Sequence, residues 1–351
     1  MSVMTVLGPV AAEDLGVVLP HEHLLIDLRN QFMPFGDPEK DRVSRQKVSV
    51  RNLGRLRRNP YAVRDNLVLD EIDVIEAELL AFKDLGGRAV VECTSVGIGR
   101  NARALRALAE RTGLHLIGGC GYYTQDTHPP ELRRASTEEI AARMLVDLTE
   151  GMDGTAIRAG VIGEIGTSDP IHADELKVLE AAALAHREVP APIYVHTYPW
   201  GTQGLRAADS LMTHGVSPQK IVICHVDVEP DLAYLRELLK RGVTIEFDNF
   251  GKEFQTDPED AGFAGGAFIS DLERVRLIKR LLDEGYGGQL LVTNDICLKC
   301  MLRHHGGRGY GHILEDVVPM LRAEGVDSTA IDLLLRDNPR RLLGGEPDAT
   351  R

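Results

Sequence analysis

Hydrophobic residues in this chain form short runs that alternate with longer amphipathic segments. Eight of these runs are rich in Val, Ile and Leu and show little alternation between apolar and polar positions. Runs of this kind are typical of strands that are buried on both faces of a parallel sheet. We therefore predict strands at residues 16–20, 88–94, 114–123, 159–166, 192–197, 220–227, 243–250 and 289–295.

The segments between these runs have the spacing of amphipathic helices. In residues 69–87, apolar side chains recur every three or four positions, and the pattern ends at Gly86. The segment 136–151 begins with Ser136, followed three residues later by Glu139, which is the pattern of a capping box. Further helices are predicted at residues 101–113, 173–188, 229–242 and 270–285 and within 313–335.

This order of elements predicts a parallel β/α architecture. Eight strand and helix units indicate an α/β protein with one (β/α)8 TIM barrel domain over residues 1–351, and the pattern leaves an open doubly wound sheet as the alternative. Residues 29–66 interrupt the rhythm, because they carry many charges and three prolines without a clear period. We expect this segment to form a long loop after the first strand, over the barrel mouth or at a subunit contact.

The composition is that of a globular protein, with 43% of the 351 residues hydrophobic and 26% charged. The formal net charge of −13 argues against nucleic acid or a membrane as the main partner, and we expect a small-molecule substrate instead. No apolar run approaches the ~18 residues of a membrane span, and we expect no secretory signal. Five cysteines, an odd number, are expected to be reduced thiols in a cytoplasmic protein.

Residues with metal-binding side chains stand at the ends of the predicted strands. In a β/α barrel, the chemistry lies at the C-terminal ends of the strands. Imidazole and carboxylate groups at such positions are common ligands of zinc and other transition metals. The candidates are His21 and His23 at the first strand, Glu164 at the fourth, His196 at the fifth, His225 at the sixth and Asp295 at the eighth.

The four histidines can serve two metal ions. Residues i and i+2 of a strand point to the same side, so His21 and His23 can bind one ion together while Glu22 points away. His196 and His225 follow neighbouring strands and can bind a second ion. The alternative is that each histidine is a hydrogen-bonded residue of the core.

The two carboxylates complete this predicted site. Glu164 can bridge two ions through its two oxygens, and Asp295 closes the ring because the eighth strand lies beside the first. Two ions about 4 Å apart would share a water and make it a nucleophilic hydroxide, whose proton Asp295 can accept. Burying four imidazoles and two carboxylates together is costly without compensating charge, which favours a metal site over separate structural ion pairs.

Three other motifs have weaker claims to chemistry. Cys297 and Cys300 have CxxC spacing, but no second pair accompanies them, and the start of a helix explains them equally. The Gly-rich segments GIGRN and GGRGYG do not join a strand to a helix in the dinucleotide-binding pattern, so loop structure is favoured over anion binding. The residues that follow the eighth strand either line the barrel mouth or form a solvated loop: His304, His305, Arg308, Tyr310 and His312.

With these residues in place, the chain resembles the phosphotriesterase family of the amidohydrolase superfamily over nearly its whole length. The resemblance rests on the segments LPHEHLLID, VIGEIGTS, YVHTY, VICHVD, TNDICLK, GGRGYGHIL and DNPRRLL, in this order. It implies a β/α barrel with two divalent metal ions per chain, Zn²⁺ by preference and Mn²⁺, Co²⁺ or Fe²⁺ as alternatives. It also implies a homodimer.

The resemblance assigns the same six ligands. It implies that His21 and His23 bind one ion, that His196 and His225 bind the other, and that Asp295 completes the site. Glu164 stands where the best-known phosphotriesterases and lactonases have a carboxylated lysine. With a glutamate at this position, the chain resembles one subgroup of the family. This subgroup contains the phosphotriesterase homology proteins and the phosphotriesterase-related proteins, which are described as resiniferatoxin-binding.

The resemblance also suggests the substrate class. Organophosphate hydrolases of the family have a proton relay beyond the aspartate, and Val228 and Asn249 stand at the relay positions here. We therefore predict a hydrolase that attacks a carboxylic ester, lactone or N-acyl amide with a metal-bridging hydroxide. A phosphotriester hydrolase and a catalytically weak small-molecule-binding protein are the alternatives.

The substrate pocket is expected to lie in the loops after the strands. If Lys299 faces this pocket, an anionic group on the substrate is favoured. The alternative for each candidate is that its side chain packs within a loop and does not contact the substrate. The candidates are Tyr122, Tyr123, Trp200, Asn249, Phe250 and Lys299.

Overall fold

The computed structural model of the protein describes residues 2–32, 35–256 and 263–344. In it, eight strands form one parallel sheet, and each strand is the neighbour of the next one along the chain. All eight predicted strands are present, although the third and the last three are clearly shorter than predicted. They are β1 (Val17–Glu22), β2 (Gly87–Glu92), β3 (His115–Cys120), β4 (Val161–Thr167), β5 (Ile193–Thr197), β6 (Ile221–Ile223), β7 (Thr244–Phe247) and β8 (Leu290–Val292).

The carboxylate of Glu22 joins β1 to the chain just after β8. It accepts hydrogen bonds from the backbone N–H of Asn294 at 2.9 Å and of Ile296 at 2.8 Å. The Asn294 amide group at 2.9 Å and the Thr293 hydroxyl at 2.6 Å lie against the same carboxylate. The sheet is thereby closed into the predicted (β/α)8 barrel, and Glu22 points away from its histidine neighbours as expected.

Replacing Glu22 by leucine is expected to lower the free energy of unfolding by about 3 kcal/mol, because several buried N–H groups lose their acceptor. Chemical denaturation of the purified variant measures this. Glu22→Gln keeps one acceptor oxygen and is expected to cost less, and Glu13→Leu, at an exposed position, serves as the control. Equal stability of Glu22→Leu and the wild type would contradict the role of this carboxylate in closing the barrel.

Helices surround the barrel and begin and end close to the predicted residues. The Ser136 hydroxyl accepts from the backbone N–H of Glu139 at 3.2 Å, and the Glu139 carboxylate accepts from the N–H of Ser136 at 2.8 Å, so the capping box is confirmed. The pattern analysis did not predict Gly204–Thr213. The helices are Ile72–Asp84, Ala102–Thr112, Thr137–Thr149, Ala173–Glu188, Gly204–Thr213, Leu232–Lys240 and Asp271–Asp283.

The last described part of the chain forms two continuous helical segments, residues 313–323 and 328–344, in agreement with the one or two helices predicted there. The π-helical turns Ile313–Val317 and Leu333–Asp337 run into the α-helices Val318–Ala323 and Asn338–Gly344, and Ser328–Asp332 lies between them. None of the helices in the described ranges combines the length and the apolar character that crossing a membrane requires.

The described part of the predicted long loop at 29–66 contains the short helices Pro38–Ser44 and Leu53–Arg58, which the sequence pattern did not predict. The carboxylate of Asp37 caps the first helix by accepting from the N–H groups of Glu39 and Lys40, both at 2.9 Å. The segment covers part of the barrel mouth, where Tyr61 lines the same cavity as the predicted metal ligands. The subunit contact stays a prediction.

Candidate metal centre

The structure brings all six predicted ligands together at the C-terminal end of the barrel. Each of them is at most 5% exposed. His225 and Asp295 have positive φ angles of 60° and 47°, an uncommon backbone conformation that turns the chain sharply just after β6 and β8. The six are His21, His23, Glu164, His196, His225 and Asp295.

Glu164 is the centre of this cluster. Its Oε1 lies 3.3 Å from Nε2 of His23, and its Oε2 lies 3.5 Å from Nε2 of His21. The same Oε2 lies 3.5 Å from Nδ1 of His196 and 3.3 Å from Nε2 of His225. One carboxylate therefore faces all four imidazoles, which is the arrangement that a bridging ligand requires.

A ring of partners behind the imidazoles fixes which nitrogen faces the cluster. Nδ1 of His21 lies 2.9 Å from Oε2 of Glu246, and Nδ1 of His225 lies 3.1 Å from Oδ2 of Asp248. Nδ1 of His23 lies 2.8 Å from the Thr94 hydroxyl. Partners of this kind orient metal-bound imidazoles and leave Nε2 available as the ligand atom.

Sequence reasoning missed Glu246 and Asp248, although a signal for them was present. The two acids alternate with Phe247 in a strand that is otherwise apolar, so both point into the barrel. They are two residues apart, as His21 and His23 are. A search limited to the residues at strand ends does not find acids that face inward beside the histidines.

Asp295 lies between the imidazoles and a buried lysine. Its Oδ1 lies 3.1 Å from Nε2 of His23, and its Oδ2 contacts the ammonium of Lys252. Burial raises the pKa of Asp295, but the neighbouring positive charges outweigh it and hold the pKa well below the usual range. Sequence reasoning also missed Lys252, which lies on the loop after β7. Its position four residues after Asp248 was the one signal for it in the sequence.

The cluster fits divalent cations. Nε2 of His21 is a buried atom without a hydrogen-bond partner among the described residues. Burial raises the pKa of Glu164, but the surrounding imidazoles hold the pKa well below its usual range, so this ligand is a carboxylate anion. Imidazoles and carboxylates in one buried cluster are the donor set of zinc and related ions, whose charge would offset the buried acids.

The chain also matches a known protein family. The phosphotriesterase family model matches residues 1–343. The chain belongs to the phosphotriesterase family. It is therefore a hydrolase of this family, as predicted, with a His, Asp and Glu cluster that can hold metal.

The proteins that are similar to this chain have different names. The N-acetyltaurine hydrolase of Rattus norvegicus is 37% identical over 346 residues and is matched over 97% of each chain. A resiniferatoxin-binding protein from Rhodobacter sphaeroides has a TM-score of 0.93 and 35% identity, over 97% of this chain and 94% of that one. A variant of a phosphotriesterase-like lactonase from Deinococcus radiodurans has a TM-score of 0.76 and 29% identity, over 97% and 100% of the two chains.

Three of the predicted substrate residues line the cavity of this phosphotriesterase-family site: Tyr123, Trp200 and Asn249. The Tyr123 hydroxyl lies 3.2 Å from Nδ1 of His196, and the Trp200 ring packs on Phe268 with ring centroids 5.2 Å apart. The assignment of these three residues to a substrate pocket stays a prediction.

The other three predicted substrate residues do not line that cavity. Tyr122 packs in the apolar core, because neighbouring residues of an extended segment point to opposite sides and Tyr123 takes the inward direction. Phe250 is fully buried and lines the next cavity along the mouth. The ammonium of Lys299 faces Asp65 at 3.2 Å and Asp70 at 3.3 Å rather than this cavity, which Lys252 lines instead.

The remaining motifs of the family site have structural contacts. Cys297 lines the cavity and Cys300 the neighbouring one, and both are free thiols. The Tyr310 hydroxyl donates to the backbone oxygen of His23 at 2.7 Å, so this part of GGRGYG braces a ligand. His312 lies between two carboxylates, those of Asp271 and Asp316, at 2.7 Å from each, rather than at the metal centre.

Proposed function

We propose that this protein is a metal-dependent hydrolase of N-acyl amides with two divalent cations, Zn²⁺ by preference. The observation that carries the proposal is the convergence of four buried imidazoles on the carboxylate of Glu164, with Asp295 beside them. The choice of an amide bond is supported by the N-acetyltaurine hydrolases, which match this chain over 97% of both lengths.

The residues divide between the two ions around the carboxylate of Glu164. His21 and His23, together with Asp295, would hold one ion, and His196 and His225 would hold the other. Bound cations of this kind acidify water and polarise a carbonyl group, and this is the chemistry that they supply.

Asp295 is placed to move the proton. Its pKa is held well below the usual range, so the carboxylate is ionised, and Oδ1 lies in the cluster at 3.1 Å from Nε2 of His23. It can accept the proton of the attacking water and transfer it to the nitrogen of the departing amine, which must be protonated to leave. A single carboxylate can thus act first as base and then as acid.

The contacts of the two relay positions disfavour phosphotriesters. Val228 is fully buried and apolar. The amide nitrogen of Asn249 donates to Asp227 at 2.7 Å and to Asp248 at 2.6 Å, so it cannot carry a proton away from Asp295. An amide, ester or lactone supplies its own basic leaving group and does not need such a relay. Lactones remain the second candidate, because a lactonase is among the similar structures.

Metal removal and a substrate panel test the proposal. We expect protein of known metal content to release acetate from N-acetyltaurine. Dialysis against a chelator should lower this activity by about 100-fold or more. Adding Zn²⁺ should restore it. A lactone, an aryl ester and paraoxon form the rest of the panel, with chelator-treated protein as the blank. A preference for paraoxon by several orders of magnitude, or two bound ions without any turnover, would show the proposal to be wrong.

A further inference from the structure

Lys252 places a buried positive charge inside the cavity of the metal centre. Among the described residues that line this cavity, it is the one lysine or arginine. The side chain is 4% exposed, and Nζ contacts Oδ2 of Asp295. Burying an ammonium is costly, and one contact with Asp295 offsets that cost only in part, because the other N–H donors also lose their hydration.

The backbone around Lys252 is held rigidly. Its N–H donates to the carbonyl of Asn249 at 3.0 Å, and its carbonyl accepts from the guanidinium of Arg274 at 3.1 Å. Arg274 is fully buried and is fixed in turn by Asp227 and Asp271, at 3.0 Å from each. The ammonium is therefore presented from a fixed anchor rather than from a flexible surface loop.

An ammonium beside Asp295 works against the proposed metal centre. It shares a carboxylate with the divalent cations and repels them, so by itself it weakens metal binding. It also has three N–H donors, and in the described part of the chain Asp295 is the one acceptor in contact with Nζ. Two donors can therefore bind an acceptor that arrives with the substrate.

The size of the cavity limits where that acceptor can be. The described residues enclose about 50 Å³ here, between aromatic side chains that include Trp200, Phe254 and Phe268. Only a small group fits beside Asp295, so an anion that reaches Lys252 lies a few bonds from the scissile carbonyl. Since Asp295 transfers its proton to the departing nitrogen, Lys252 lies on the side of the amine.

We propose that Lys252 binds a negatively charged group on the amine portion of the substrate, so that the substrates are short N-acyl derivatives of amino carboxylic or amino sulfonic acids. This inference rests on the proposed amide hydrolysis. It makes Lys252 a specificity-determining residue for substrates in which a carboxylate or sulfonate is separated from the amide nitrogen by one or two carbons.

Three matched amides test this assignment: N-acetyltaurine, N-acetyl-β-alanine and the neutral N-acetyl-β-alaninamide, each followed by acetate release. For Lys252→Met we expect kcat/KM to fall for all three amides, because Asp295 loses its partner, and to fall about 100-fold further for the two anions, because a charge-assisted hydrogen bond to the substrate is lost as well. Lys252→Arg keeps the charge and is expected to retain the preference. Lys299→Met removes a buried ammonium outside the cavity and is the matched control.

Each outcome bears on a different claim. An equal loss for neutral and anionic amides would show that Lys252 only supports Asp295, and it would overturn the anion assignment while amide hydrolysis stands. Release of acetate from none of the three by wild-type protein would overturn the proposed function. If Lys252→Met fails to fold or to hold metal, the wild-type protein still tests the inference. The inference is wrong if the wild-type kcat/KM for both anions is no higher than for the neutral amide. The two anions separate a sulfonate from a carboxylate preference.

Discussion

Replacing Asp295 by asparagine is expected to lower kcat by about 1000-fold while the metal content stays near that of the wild type. Asparagine keeps an oxygen where Oδ1 of Asp295 faces His23, so a ligand atom remains. It cannot accept the proton of the attacking water, and it cannot return a proton to the leaving amine. Activity should therefore fall much further than metal binding.

Steady-state kinetics together with metal analysis of the same preparation measures this effect. Asp209→Asn, which changes an exposed carboxylate paired with Arg241, is the matched control and should leave both quantities unchanged. If Asp295→Asn lost the metal and the activity together, the residue would be a ligand only. If it kept full activity, proton transfer would belong to another group.

Glu164→Ala is expected to have the second large effect, the loss of bound metal. The carboxylate faces all four imidazoles at 3.3 to 3.5 Å, so its removal takes a ligand from each ion and leaves the positive charges of both ions without their shared anion. We expect metal content well below two ions per chain, and kcat/KM reduced by about 1000-fold or more.

Metal analysis after gel filtration tests this, with circular dichroism to show that the barrel is folded. Glu164→Asp keeps a carboxylate but shortens it by one methylene group, and we expect partial occupancy. Full occupancy by two ions in folded Glu164→Ala would contradict the bridging assignment. Because the residue lies at the C-terminal end of the barrel, where function rather than stability is concentrated, the free energy of unfolding should change less than the activity.

The sequence pattern predicted the positions of the six candidate ligands but not the residues around them. The runs of Val, Ile and Leu define the strands, and His21, Glu164 and Asp295 lie within them or directly after them. In a parallel barrel all strand ends meet on one side, so locating the strands was sufficient to locate the ligands. The same logic failed for the loops, where Lys299 was predicted in the cavity that Lys252 lines.

The sequence by itself determined the barrel, the capping box at Ser136 and the six candidate ligands, because strand burial, helix periodicity and capping are local patterns that neighbouring residues encode. Only the tertiary structure decided the partners of those ligands. His21 and Glu246 are 225 residues apart, and Lys252 is 43 residues from Asp295. Which loop side chains turn inward depends on packing between distant segments, and no local pattern records it.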